Sequence, residues 1–124
     1  MNRTVLIADP SAIMRRILER ALRLAGLEPQ HLFEASDGDE ALALARQHQP
    51  DLILCDSSLP GQDGMAVLRA LKESEETRDL EFVFVSCQAN ESRVLEALSL
   101  GARGYLRKPF TVEQVRDTVA PVFA

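Results

Sequence analysis

Apolar residues along this chain follow two rhythms that take turns. Short, largely apolar runs at Thr4 to Ala8, Leu52 to Cys55, Phe82 to Ser86 and Gly104 to Leu106 have the length and residue types of strands buried on both faces. A weaker run of the same kind extends from His31 to Ala35. Between these runs, apolar residues recur at spacings of three and four, the period of a helix with one buried side.

Five helices are predicted. The first places Ile13, Ile17, Ala21 and Leu24 on one stripe, with Met14, Leu18, Leu22 and Ala25 beside it, and Gly26 as its stop. The second opens on Asp37 as N-cap with Glu40 in capping-box spacing, buries Ala41, Leu42, Leu44 and Ala45, and is punctuated by Pro50. The third starts near Asp63-Gly64 and carries Met65, Val67, Leu68 and Leu71 before a polar stretch from Lys72 to Asp79. The fourth runs from about Glu91 with Val94, Leu95 and Leu98 to a stop at Gly101, and the fifth pairs Thr111 with Gln114 as a capping box ahead of Val115 and Val119. Strands alternating with helices imply a parallel sheet covered on both faces, because each crossover helix must pack back onto the sheet. The fold class is therefore α/β, a doubly wound three-layer sandwich.

Composition narrows the function. The 124 residues fit one domain, 1–124, able to bury a core without staples. A net charge of −5, with no Lys/Arg-rich block, argues against nucleic acid or an anionic membrane as partner. No apolar stretch is long enough for a signal-peptide core or a bilayer span, which points to the cytoplasm. Cys55 and Cys87 form no CxxC pair and are expected to be buried, reduced thiols; Arg15 and Arg16 read as an exposed helix face.

Asp56 directly follows the strand Leu52-Ile53-Leu54-Cys55 and precedes the turn stretch Ser57-Ser58-Leu59-Pro60-Gly61. In an open α/β sheet the carboxyl ends of the strands border the ligand crevice. If all strands are parallel, the same rim receives Asp9 from the first, Ser86 from the fourth and Lys108 from just after the fifth. Two acids, a hydroxyl and an ammonium suit a phosphoryl group: the acids hold a hard divalent cation, while Lys108 and Ser86 bond phosphoryl oxygens. A carboxylate oxygen of Asp56 is the natural nucleophile.

These residues stand in a recognisable order. Leu6-Ile7-Ala8-Asp9, Pro50-Asp51-Leu52-Ile53-Leu54-Cys55-Asp56, Leu59-Pro60-Gly61-Gln62-Asp63-Gly64, Val85-Ser86 and Gly104-Tyr105-Leu106-Arg107-Lys108-Pro109-Phe110 together resemble the response-regulator receiver domain of two-component signalling. The resemblance covers essentially the whole chain and is of the chemotaxis, single-domain type. It implies a flavodoxin-like fold with strand order 2-1-3-4-5 and a cis bond between Lys108 and Pro109. It also implies a phosphoaspartate at Asp56, a switch hydroxyl at Ser86, a phosphoryl-pairing Lys108 and a rotamer-switching aromatic at Tyr105. Mg2+ would be held by Asp9, Asp56 and the Ser58 backbone carbonyl. Upstream the implied partner is a histidine kinase or phosphotransfer protein. Downstream it is a protein target on a face near the fourth helix, fifth strand and fifth helix.

One position departs from the family pattern. Receivers end the first strand with two adjacent acids, but here Asp9 is followed by Pro10, which has neither a carboxylate nor an N–H. The expected result is weakened metal binding. A pseudo-receiver, used as a phosphorylation-independent binding or dimerisation module, is the alternative that Pro10 raises. A metabolic enzyme is not expected, and a flavin carrier fits poorly, since Asp9-Pro10-Ser11-Ala12-Ile13-Met14 is not a Ser/Thr/Gly-rich phosphate loop.

Overall fold

The five apolar runs form strands β1 (Thr4–Ala8), β2 (His31–Ala35), β3 (Leu52–Cys55), β4 (Glu81–Ser86) and β5 (Gly104–Arg107). They alternate with helices α1 (Ala12–Leu24), α2 (Gly38–His48), α3 (Gly64–Lys72), α4 (Glu91–Ser99) and α5 (Val112–Val119), the last running into a 3-10 turn at Ala120–Phe123. The structure is a computed structural model describing residues 3–88 and 90–123; Met1, Asn2, Ala89 and Ala124 lie outside the described residues. The sheet order is β2-β1-β3-β4-β5 and every pairing is parallel. The doubly wound fold is as the sequence pattern predicts, and the flavodoxin-like strand order is as the resemblance implies.

Side-chain alternation along the strands separates two cores. Leu6, Ala8, Ile53, Cys55, Phe82 and Phe84 face the side covered by Ala41, Leu42, Ala45, Val67, Leu68, Leu71 and Ala97 of α2, α3 and α4. Val5, Ile7, Leu52, Leu54, Val83, Val85 and Leu106 face Leu18, Ala21 and Leu22 of α1 with Val115 and Val119 of α5. Because the central strands are apolar on both sides, polar side chains are left to the strand ends, and the rim becomes the chemical edge of the sheet.

Two helices sit differently from their apolar patterns. In α1 the buried residues are Leu18, Ala21 and Leu22, while Ile13, Ile17 and Leu24 are 72 %, 44 % and 61 % exposed. The apolar arc of α1 is wider than its contact with the sheet and α5, so one edge of it is left outside. In α4 Ala97 is buried, whereas Leu95 and Leu98 are exposed. This helix packs on the edge strand β5, which offers little surface to cover its larger side chains.

The caps hold each helix start in place. Ser11, Asp37, Asp63, Asn90 and Thr111 each accept a hydrogen bond from the backbone N–H three residues on. The Thr111–Gln114 box closes in both directions, but the Asp37–Glu40 box does not: Glu40 accepts from the Ser36 N–H at 2.9 Å instead of from Asp37. Gly26 and Gly101 end α1 and α4 with left-handed φ values of 80° and 100°, as stop signals require.

Candidate functional site

The rim residues are fixed first through their backbones. Asp9 N–H donates to the Ala35 carbonyl at 3.0 Å and Asp56 N–H to the Ala8 carbonyl at 2.8 Å, so both acids continue the sheet ladder. Lys108 N–H donates to the Ser86 carbonyl at 2.9 Å, one step beyond the Ser86–Arg107 register pair, and the Lys108–Pro109 bond is cis. Behind Asp56, Gly64 N–H donates to the Ser57 carbonyl. A Cβ at Gly64 would lie 2.5 Å from the Asp56 carbonyl oxygen, so the start of α3 approaches the site through a position that admits no side chain.

Lys108 Nζ bridges the two acids, donating to Asp9 Oδ2 at 2.7 Å and to Asp56 Oδ2 at 3.3 Å. The remaining oxygens are also engaged: Ser11 N–H donates to Asp9 Oδ1 at 2.9 Å and Ser58 N–H to Asp56 Oδ1 at 3.2 Å. Asp9 therefore braces the segment leading into α1 while Ser11 supplies the N-cap. The Asx-type bond at Asp56 coexists with its place on the rim. Burial acts to lower the Lys108 pKa, but the hydrogen bond to Asp9 and the two nearby carboxylate charges outweigh it and hold the ammonium above its ordinary range.

Ser86 is buried at the end of β4, its hydroxyl 2.7 Å from the hydroxyl of buried Ser57 and accepting from the Gln88 N–H at 3.0 Å. Tyr105 stacks on Phe84 at 5.5 Å and its hydroxyl reaches the Gln88 carbonyl at 3.5 Å, so it touches this network only at its edge. Pro10 and Ser58 are exposed beside the acids.

Three residues differ from their sequence readings. Arg15 is only 16 % exposed in its side chain; it donates to the Asp9 carbonyl at 2.6 Å and to Glu34 at 2.9 Å, tying α1 and β2 to the rim. Cys87 is exposed, because it follows the last buried residue of β4. Ser57 belongs to the turn stretch, yet its hydroxyl is buried against Ser86; no polarity pattern separates it from exposed Ser58. Cys55 is buried as expected, and burial, with the carboxylates of Asp56, Asp9 and Asp63 nearby, pushes its thiol far above the ordinary range.

A divalent cation tests the donor set. Asp9, Asp56 and the Ser58 carbonyl are hard oxygen donors of the kind that suits Mg2+, which keeps several waters and takes one or two carboxylates. Position 10 adds no side-chain donor, and the described residues contain no group of three or more acidic, His or Cys side chains able to hold a metal. The residues fit the ion in kind, with one acid fewer than the family pattern.

Residues 5–120 match the family described as the response regulator receiver domain. The chain belongs to that family. It is 32% identical over 119 residues to the chemotaxis protein CheY of Pseudomonas aeruginosa, covering 96% of this chain and 94% of the relative. Among solved structures, a putative response regulator from Chloroflexus aurantiacus superposes with a TM-score of 0.87 at 30% identity, covering 98% of each chain. CheY of Borrelia burgdorferi, solved in a complex with CheX, BeF3 and Mg2+, gives a TM-score of 0.88 at 25% identity, covering 98% of this chain and 89% of that one. Receiver domains of this family serve signalling and generally bind Mg2+; among the described residues, no helix is long and apolar enough to cross a membrane.

Proposed function

We propose that this receiver accepts a phosphoryl group on Asp56 from a histidine kinase or phosphotransfer protein in the cytoplasm and thereby switches a protein-binding face. The observation that carries this reading is the Lys108 ammonium bridging Asp9 and Asp56 at the carboxyl edge of a parallel sheet, with the Ser86 hydroxyl on the neighbouring strand. In the transfer, an Asp56 carboxylate oxygen attacks phosphorus, an O–P bond forms, and the donor's P–N bond breaks with its electron pair left on the imidazole nitrogen. Lys108 offsets charge on the phosphoryl oxygens. Ser86 turns its hydroxyl toward them. Mg2+ held by Asp9, Asp56 and the Ser58 carbonyl would add charge neutralisation at the same oxygens.

The output face proposed for α4, β5 and α5 is supported by exposed Leu95 and Leu98 and by half-buried Tyr105. Such apolar side chains at a surface suit a protein partner. The relative solved with CheX, BeF3 and Mg2+ supports a partner-binding role of the same kind. This is a signalling module with self-catalysed phosphoryl transfer, not a metabolic enzyme.

A second reading rests on Pro10. With no acid there, the same fold serves as a pseudo-receiver, a constitutive binding or dimerisation module. Intact-mass measurement after incubation with a small-molecule phosphodonor and Mg2+ separates the two. Wild type that gains one phosphoryl group, lost in Asp56→Asn, supports the receiver; wild type that stays unmodified while Pro10→Asp is modified supports the pseudo-receiver.

A further inference from the structure

We infer that Ser57 is a positioning residue for the switch, holding the Ser86 hydroxyl in its resting rotamer. This rests on the reading of Ser86 as the hydroxyl that turns toward a phosphoryl group on Asp56. The two serine hydroxyls are 2.7 Å apart and both residues are buried, at 6 % and 1 % exposure. Ser57 is fixed where it stands: its carbonyl accepts from Gly64 N–H at 3.0 Å, and the Asp56 backbone before it is tied to β1. Its backbone is thus a fixed anchor, from which the hydroxyl meets Ser86 Oγ in the resting rotamer of that side chain.

A serine hydroxyl carries one proton and two lone pairs. Ser86 Oγ already uses one lone pair to accept from Gln88 N–H. Bonding a phosphoryl oxygen demands its proton, and turning to another staggered rotamer carries the oxygen away from Ser57. The Ser57 hydroxyl then loses its partner in a buried site, which disfavours the turned state relative to the resting one. Ser57 therefore raises the threshold for switching, and the Tyr105 hydroxyl, 3.5 Å from the Gln88 carbonyl, lies at the edge of the same network as a reporter.

Two measurements decide this, using Ser57→Ala, Ser86→Ala and the double variant. In the unliganded protein, the Hα–Hβ scalar couplings of Ser86 report its rotamer directly. Wild type shows one rotamer and Ser57→Ala shows averaging over two; an unchanged single rotamer in Ser57→Ala overturns the inference, whether or not Asp56 is a phosphoacceptor. In the second arm, BeF3 with Mg2+ is titrated while the fluorescence of Tyr105, the single tyrosine in a chain without tryptophan, is followed. Loss of one hydrogen bond predicts that Ser57→Ala lowers the half-saturating concentration about threefold to tenfold, and that the shift disappears in the Ser86→Ala background. A midpoint that is unchanged or raised, or a shift that survives Ser86→Ala, overturns the latch. Failure of wild type to bind BeF3 contradicts the phosphoacceptor reading, and the coupling measurement then decides the latch by itself.

Discussion

Replacing Lys108 with methionine tests whether the site is held together by a shared cation. Methionine keeps most of the side-chain stem and removes the ammonium that donates to Asp9 Oδ2 at 2.7 Å and Asp56 Oδ2 at 3.3 Å. Those two oxygens then face each other no more than about 6 Å apart, and at an effective permittivity near 20 two unit charges at that distance repel by roughly 3 kcal/mol. Asp9 is 3 % exposed and has little water to compensate it, but Asp56 at 13 % and Lys108 at 16 % are partly solvated. The expected net loss is therefore about 2 kcal/mol, or about 7 °C in Tm for a domain of this size.

The pH dependence has a definite sign. The raised pKa of Lys108 means that its contribution is fully present below the ordinary lysine range and lost only as pH rises through the still higher folded-state value. At pH 7 wild type has all of it. The gap to Lys108→Met therefore holds steady around neutrality and closes only as pH rises through the raised Lys108 value. Urea unfolding followed by Tyr105 fluorescence, with a chelator present to exclude divalent cations, measures both quantities. A variant within about 0.5 kcal/mol of wild type at pH 7, or a gap that already closes below the ordinary lysine range, refutes the reasoning.

Further outcomes follow from packing around the rim. Gly64→Ala forces a Cβ to 2.5 Å from the Asp56 carbonyl and 2.8 Å from Phe84, and a loss of at least about 2 kcal/mol is expected in urea unfolding. Leu68→Ala empties a fully buried position and should cost about 2–5 kcal/mol in the same assay, whereas Leu95→Ala, exposed on α4, should stay within about 0.5 kcal/mol. A chromogenic disulfide reagent should titrate one thiol, Cys87, in the native protein and reach Cys55 only after denaturation, because Cys55 is buried and held as the thiol.

The strands and their covering were legible because Val5, Ile7, Leu52, Leu54, Val83 and Val85 belong to runs that make sense only when buried on both faces; their order followed from the family resemblance, not from the pattern. The rim acids and Ser86 were legible for a related reason: each breaks an apolar run at its carboxyl end, and Lys108 stands just after Arg107 at the end of the fifth strand. What the sequence hid was orientation. Ile13 and Leu24 look no different from Leu18 and Leu22 along the chain, and only the docking angle of α1 puts the first pair outside. Arg15 and Arg16 are likewise equivalent as letters, yet one folds inward onto the Asp9 carbonyl. Ser57 and Ser58 are identical neighbours, of which one is buried against Ser86 and the other exposed. Such differences arise from tertiary contact, to which local periodicity is blind.

The central claim concerns one carboxylate. An aspartyl phosphate is an acyl phosphate, and hydride reduction converts it to homoserine, which marks the modified residue permanently. Wild-type protein incubated with a phosphodonor and Mg2+, reduced with borohydride and digested, is expected to show homoserine at position 56 by peptide mass spectrometry. Absence of conversion there, or conversion at another aspartate in its place, would contradict the account.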